Sequence, residues 1–306
     1  MLTDTPGIHH VSVVVRDAAA VHRLYTETLG LRCVKRTVNF EDKFTYHLYY
    51  GNEHGDPGTV LTFFPYPDEV DGRVGRPQVA ATALAVPPRS LDYWEDRLSE
   101  RGVAVERDER FGDALLRFSD PDGTRLELVG TDAPVDPWDE GPVPAEYAIR
   151  GIHGVSVLSV DPFQTAGLLE TLGFDLEAQA GDRVRYRAPG DHATVVDLLD
   201  REAPFGREGA GSVHHVAVRA ASVDELHEWR ELFAERGYDV SRVKDRQFFH
   251  SLYVREPGGI LFELATESPG VAAVEPLDAL GERLYLPPQF EPDREMIRPQ
   301  LPPLDP

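Results

Sequence analysis

Apolar positions along the chain follow two rhythms that replace one another at regular intervals. Short runs such as 7-GIHHVSVVV-15 alternate or are β-branched, as half-buried strands are. Each of four such runs leads into a stretch with apolar residues three and four apart that closes on Gly, the pattern of an amphipathic helix with an αL terminator. The predicted helices lie in 18-AAAVHRLYTETLG-30, 90-SLDYWEDRLSERG-102, 163-FQTAGLLETLG-173 and 223-VDELHEWRELFAERG-237. Three further β-like runs follow each helix; the last of each set are 58-GTVLTFF-64, 123-GTRLELVG-130, 193-ATVVDLLD-200 and 259-GILFELATE-267.

The chain therefore reads as a βαβββ unit written four times. One unit cannot cover its own sheet face, so the units should pair. The expected fold class is α+β, with four βαβββ units forming two paired-module, barrel-like domains. Residues 1–130 hold units one and two, and 151–270 hold units three and four. The Pro- and acid-rich stretch 131–150 reads as a linker, and 271–306 as an extended tail.

Composition narrows the class. At 306 residues, 41% hydrophobic and with a single cysteine, the chain is globular and cannot form an internal disulfide. No apolar run is long enough to span a bilayer, and MLTDTPG lacks signal-peptide features, so a cytoplasmic location is expected. Acids outnumber bases 53 to 31, a formal net charge of -22, and only Lys35, Lys43 and Lys244 are lysines. Such a surface repels nucleic acid and anionic membranes. Acids scattered over helices and turns, with scarce Lys, suggest a halophilic protein whose self-repulsion is screened by salt. A homo-oligomer remains open.

Superposing the repeats isolates two positions. At the fourth residue of the first strand stand His10, an Ala or Thr near Ala81 and Thr82, Gly154 and His215; in the last strand stand Thr62, Glu127, Asp197 and Glu263. Units one and four thus offer His10, His215 and Glu263. Two imidazoles and one carboxylate on rigid strands are the facial set that holds Fe(II) and leaves positions open. Gly154 cannot ligate, so an intramolecular site requires units one and four to share a barrel. A site completed across a dimer stays open, and Glu127 and Asp197 read as structural.

These features resemble the vicinal oxygen chelate superfamily of glyoxalases, bleomycin-resistance proteins and extradiol dioxygenases. HHVSVVVRD, 44-FTYHLYYGNEHGDPGTVLTFFPYP-67, 245-DRQFFHSLYVREPGGILFELAT-266 and the LPPQFEP tail resemble, more narrowly, the ring-cleaving dioxygenases of hydroquinones, over nearly the whole chain. That resemblance implies an Fe(II) enzyme that joins a small aromatic substrate with O2. Its iron would sit on His10, His215 and Glu263, with His9, His214, Arg246, Tyr253 and Ser12 around the substrate. Arg246 can steady a phenolate through its fork of donors, and Tyr253 can donate to an oxyanion. His9 and His214 precede ligands, and adjacent strand residues face opposite ways, so they reach the pocket only if the strand starts or bulges there. His22, His47 and His250 have no such placement. Two rivals are a glyoxalase-type lyase using Zn or Ni, disfavoured by the non-ligating Thr62, and a quinone- or drug-sequestering resistance protein.

Overall fold

The computed structural model describes residues 2–304. Unit one contributes β1 (Ile8–Val15), α1 (Ala18–Arg23), β2 (Arg32–Val38), β3 (Tyr46–Gly51) and β4 (Val60–Pro65). Unit two contributes β5 (Gln78–Val86), α2 (Leu91–Glu100), β6 (Glu106–Arg110), β7 (Asp113–Ser119) and β8 (Arg125–Gly130). In unit three these are β9 (Ile152–Leu158), α3 (Pro162–Thr171), β10 (Asp175–Ala180), β11 (Arg183–Arg187) and β12 (Val195–Leu199). Unit four has β13 (Ser212–Ala220), α4 (Val223–Glu235), two short pieces, β14 (Asp239–Val240) and β15 (Lys244–Asp245), then β16 (His250–Arg255) and β17 (Leu261–Thr266). Among the described residues no helix is long and apolar enough to cross a membrane.

The strands form two curled sheets. One runs β14-β16-β17-β13-β1-β4-β3-β2, with β15 paired to β16, and so joins units one and four. The other runs β10-β11-β12-β9-β5-β8-β7-β6 and joins units two and three. In each sheet the first strands of two units pair antiparallel at the centre, flanked by each unit's own last strand in parallel register. The first and last strands of a unit therefore do lie side by side, which places the two repeat positions on one face.

Three helices start on side-chain caps that satisfy an otherwise free N–H: Asp17 on Ala20, Asp161 on Gln164 and Ser222 on Glu225. The apolar stripes of all four helices, including Val21, Trp94, Leu98, Leu168, Leu169, Leu226 and Phe233, pack on the sheets in one continuous core. The tail departs from the extended strap expected of it. It turns through short helical segments, among them α5 (Arg294–Ile297), because Ile297 and Leu301 bury against Val38 and Leu286 while Lys43 pairs with Asp293 at 2.6 Å. Proline at the first turns of helices, as at Pro292 and Pro299, is compatible with this folding. The 131–150 stretch also does more than connect, since Val135, Val143, Ala148 and Ile149 are buried.

Candidate metal centre and pocket

His10 comes from β1, His215 from β13 and Glu263 from β17, three neighbouring strands of the first sheet. All three side chains are essentially removed from solvent. Their donor atoms converge: His215 Nε2 lies 2.8 Å and His10 Nε2 3.5 Å from Glu263 Oε2, and the two nitrogens are 3.2 Å apart. Neither carboxylate oxygen receives a properly aligned hydrogen bond despite complete burial. A buried carboxylate without a donor is costly, and here its lone pairs and two ring nitrogens face one small volume. The described residues contain no other comparable cluster of three metal-ligating side chains.

Protonation favours the same reading. Burial lowers the His215 imidazole, which keeps a lone pair available. Burial alone would raise the Glu263 carboxyl, but the adjoining His215 and His10 outweigh it and hold Glu263 well below the usual carboxylate range. Neutral imidazole and ionised carboxylate are the forms a divalent metal requires. The donor set therefore fits a metal of the Fe, Mn or Zn type.

A bulge explains the doubled histidines. Ile8 faces Val218 while His10 faces Ala217, so His9 is the extra residue of β1. Likewise Ser12 faces His215 while Val13 faces Val213, which leaves His214 as the extra residue of β13. A bulge re-aims the side chain that strand alternation would send outward. Each extra histidine turns back onto its neighbour: His9 Nδ1 is 2.9 Å from His10 Nδ1, and His214 Nδ1 is 2.7 Å from His215 Nδ1. A metal on Nε2 of His10 would leave the proton on Nδ1, from which it would donate to His9. His9, which is buried, and His214, which is exposed, are thus absent from the pocket wall and each contacts the Nδ1 of the histidine it precedes.

The cavity above the triad is narrow, about 30 Å³, well below the usual ligand-pocket range, and is walled mainly by aromatic side chains. Phe40, Phe64 and Phe249 supply apolar walls, and Asn39, His47, Tyr49, Arg246 and Tyr253 supply polar groups. Arg246 lies over the rings of Phe40 and Tyr253, donates to the Tyr253 hydroxyl at 3.3 Å and reaches Glu41 at 3.4 Å on the rim. Burial, reinforced by the charge of Glu263, raises Tyr253 well above the usual phenol range, so it remains a proton donor. Ser12 does not line the pocket. It lies beneath, its hydroxyl 2.7 Å from Thr62 Oγ1.

Six lining residues escaped the sequence reading: Asn39, Phe40, Phe64, Phe249 and the two ionisable ones, His47 and Tyr49. Tyr49 pairs with Thr62 across β3–β4, as Tyr253 pairs with Glu263 across β16–β17, so the two tyrosines are repeat equivalents flanking the triad. His47 stands between Tyr49 OH, at 3.0 Å, and Thr62 Oγ1, at 2.9 Å. Aligning the third strands of units one and four would have exposed Tyr49, but the contact of His47 with Thr62 crosses strands.

In the second sheet the equivalent positions serve packing. Glu127 is held by both terminal nitrogens of Arg110 at 2.6 Å, and Asp197 is held by Arg185 and Arg183 at 2.8–3.0 Å. Arginine stands at the sites of both tyrosines, since Arg117 faces Glu127 and Arg185 faces Asp197. At Gly154 a Cβ would meet the Val195 carbonyl oxygen at 2.3 Å.

Comparison with known proteins agrees with this architecture. Residues 7–128 and 168–264 match the model of the Glyoxalase/Bleomycin resistance protein/Dioxygenase superfamily. The chain belongs to this superfamily. A Bacillus subtilis relative provisionally named ring-cleaving dioxygenase MhqO is 42% identical, with 100% of this chain and 98% of the relative covered. The chlorohydroquinone/hydroquinone 1,2-dioxygenase of Sphingobium indicum is 35% identical over 93% of this chain and 92% of its own. A B. subtilis crystal structure, described provisionally as a dioxygenase, superposes with a TM-score of 0.96 at 42% identity, covering 99% of this chain and 98% of that one. Glyoxalase I of Zea mays shares the superfamily fold at a TM-score of 0.65 and 16% identity, with 86% and 92% of the two chains covered.

Proposed function

We propose that this superfamily member is an Fe(II)-dependent dioxygenase, with an extradiol-type ligand set, that opens the ring of hydroquinone-type phenols. The observation that carries the reading is the convergence of three ligands rather than four: His10, His215 and Glu263 meet, and at the fourth repeat position Thr62 bonds instead to Ser12 and His47. A three-residue facial set leaves positions open for substrate and oxygen. The names of the full-length relatives point the same way. Bound Fe(II) would supply electron transfer between an electron-rich ring and dioxygen.

The chain's own residues do the rest. Phe40, Phe64 and Phe249 hold the ring and exclude water, which strengthens every polar contact in the pocket. Arg246 presents a cation that steadies an anionic oxygen, and Tyr253 donates a proton or hydrogen bond beside Glu263. His9 and His214 hold the two ligand rings in place. Most of the work is orientation of two reactants in one dry site.

The test is anaerobic reconstitution with Fe(II), followed by oxygen uptake with hydroquinone, methylhydroquinone and catechol. The reading expects uptake with the hydroquinones and ring-opened acids as products. A native Zn or Ni protein that turns over hemithioacetals without oxygen would overturn it.

A further inference from the structure

We propose that Tyr49 and His47 act as a proton-shuttling pair for the pocket, with Thr62 and Ser12 as positioning residues that hold the imidazole. The proposal rests on the ring-cleaving reading above and adds an acid–base group to it. The four side chains form one chain of contacts: Tyr49 OH to His47 Nδ1 at 3.0 Å, His47 Nε2 to Thr62 Oγ1 at 2.9 Å, and Thr62 Oγ1 to Ser12 Oγ at 2.7 Å. All four residues are buried. Tyr49 and His47 line the pocket, whereas Thr62 and Ser12 lie behind it.

The proton positions follow from the inventory of donors. When Tyr49 O–H donates to Nδ1 of a neutral His47, Nε2–H donates to Thr62, whose own O–H donates to Ser12. Every member is then satisfied, and the lone pairs of Tyr49 are left facing the pocket. Tyr253, its repeat equivalent, accepts from Arg246 instead and keeps its O–H for donation. The pocket thus holds one tyrosine arranged to accept and one arranged to donate, on opposite flanks of the triad.

A ring hydroxyl bonded to Tyr49 gives up its proton in a balanced relay. The substrate O–H breaks as Tyr49 O gains that proton, and the former Tyr49 proton forms Nδ1–H on His47. The products are a phenolate and an imidazolium, and Tyr49 is neutral throughout. Burial, with His10 next, lowers His47 well below the ordinary imidazole range, so the imidazolium forms only while the phenolate is stabilised by a cation such as Arg246, and it returns its proton readily. The reverse relay delivers it to an oxygen of the ring-opened product. Thr62 occupies the repeat position at which unit four carries Glu263. A carboxylate there would be a fourth metal ligand; a hydroxyl orients His47 instead.

Y49F, which removes one oxygen atom, is the decisive variant, with H47Q and T62V beside it in the Fe(II)-loaded enzyme. Iron content, oxygen-uptake kcat and KM for hydroquinone, and the rate ratio in H2O and D2O are measured. Y49F and H47Q should keep iron and lose on the order of 10²-fold or more in kcat, with KM changed only a few-fold. Y49F should also lose the solvent isotope effect, and T62V should show a smaller kcat loss. Y49F with wild-type kcat overturns the proposal, as does a kcat loss that only tracks lost iron. Wild-type enzyme inert toward every hydroquinone overturns the ring-cleaving reading and the pair with it, whereas active wild type with unimpaired Y49F overturns the pair alone.

Discussion

Gly154→Ala tests whether the missing imidazole of unit three was removed for chemistry or for packing. Gly154 lies in the middle of β9, in register with Ala83 on one side and Val195 on the other. A Cβ built there sits 2.3 Å from the Val195 carbonyl oxygen and 2.7 Å from Val195 Cβ, where real Cβ contacts do not fall under 3.0 Å. The shortfall against the oxygen is 3.0 − 2.3 = 0.7 Å at least, and the neighbour is backbone in a buried ladder. Overpacking of this kind costs about 1–3 kcal/mol, and displacement of a paired strand pushes it to the upper end, ~3 kcal/mol. Replacing glycine also restricts the unfolded chain, which favours the variant by roughly 0.4–1 kcal/mol, so a net loss means that the overlap dominates. The net loss is about 2–2.6 kcal/mol, and at about 2–4 °C per kcal/mol for a large domain Tm should fall by roughly 4–10 °C. Thermal unfolding followed by circular dichroism reads this directly. An unchanged or higher Tm would refute the packing argument and leave Gly154 as a vacated ligand position.

Three further outcomes are expected. His9→Phe keeps a ring beside Phe249 but removes the acceptor of His10 Nδ1–H; Fe(II) affinity by chelator competition should weaken about 10–100-fold, and unchanged affinity would dismiss His9 as an orienting group. Asp120 is raised to about 6 by burial, against an unfolded value near 3.8. Between those values the folded state binds more protons, so this group's penalty grows as pH rises through them and is complete above 6. Asp120→Asn should therefore stabilise at pH 7.5, by about 3 kcal/mol at most, and less at pH 5, as the pH dependence of Tm will show. Finally, a net charge of -22 predicts that Tm rises as KCl is raised from low to molar concentration, and a flat response would remove the high-salt reading.

Much of the fold was legible because each unit announces itself by alternation, a helical stripe and a closing glycine. The convergence of His10, His215 and Glu263 was legible for the same reason: repeat superposition turns an isolated histidine into a position, and the three fall on adjacent strands. What alternation could not convey was the bulge. Strict pleating sends His9 outward, whereas the register slip at Ile8/His10 folds it behind His10. His47 was passed over because, although Tyr49 follows it on the same strand face, its contact with Thr62 joins two strands and no spacing along the chain reveals it. Proline in the tail suggested an extended strap; burial of Ile297 and Leu301 decided for turns. Gly154 carried two messages at once, a missing ligand and a strand crossing too close for any side chain, and only the first is visible in one dimension.

If His10, His215 and Glu263 hold the iron of a ring-opening dioxygenase, oxygen uptake measured against hydroquinone consumed, by the Fe(II)-reconstituted wild type and by E263A, will show it most directly. The wild type should consume one O2 per ring opened, and E263A should neither retain iron nor take up oxygen. Ring loss without oxygen uptake, or an E263A protein as active as the wild type, would contradict that assignment.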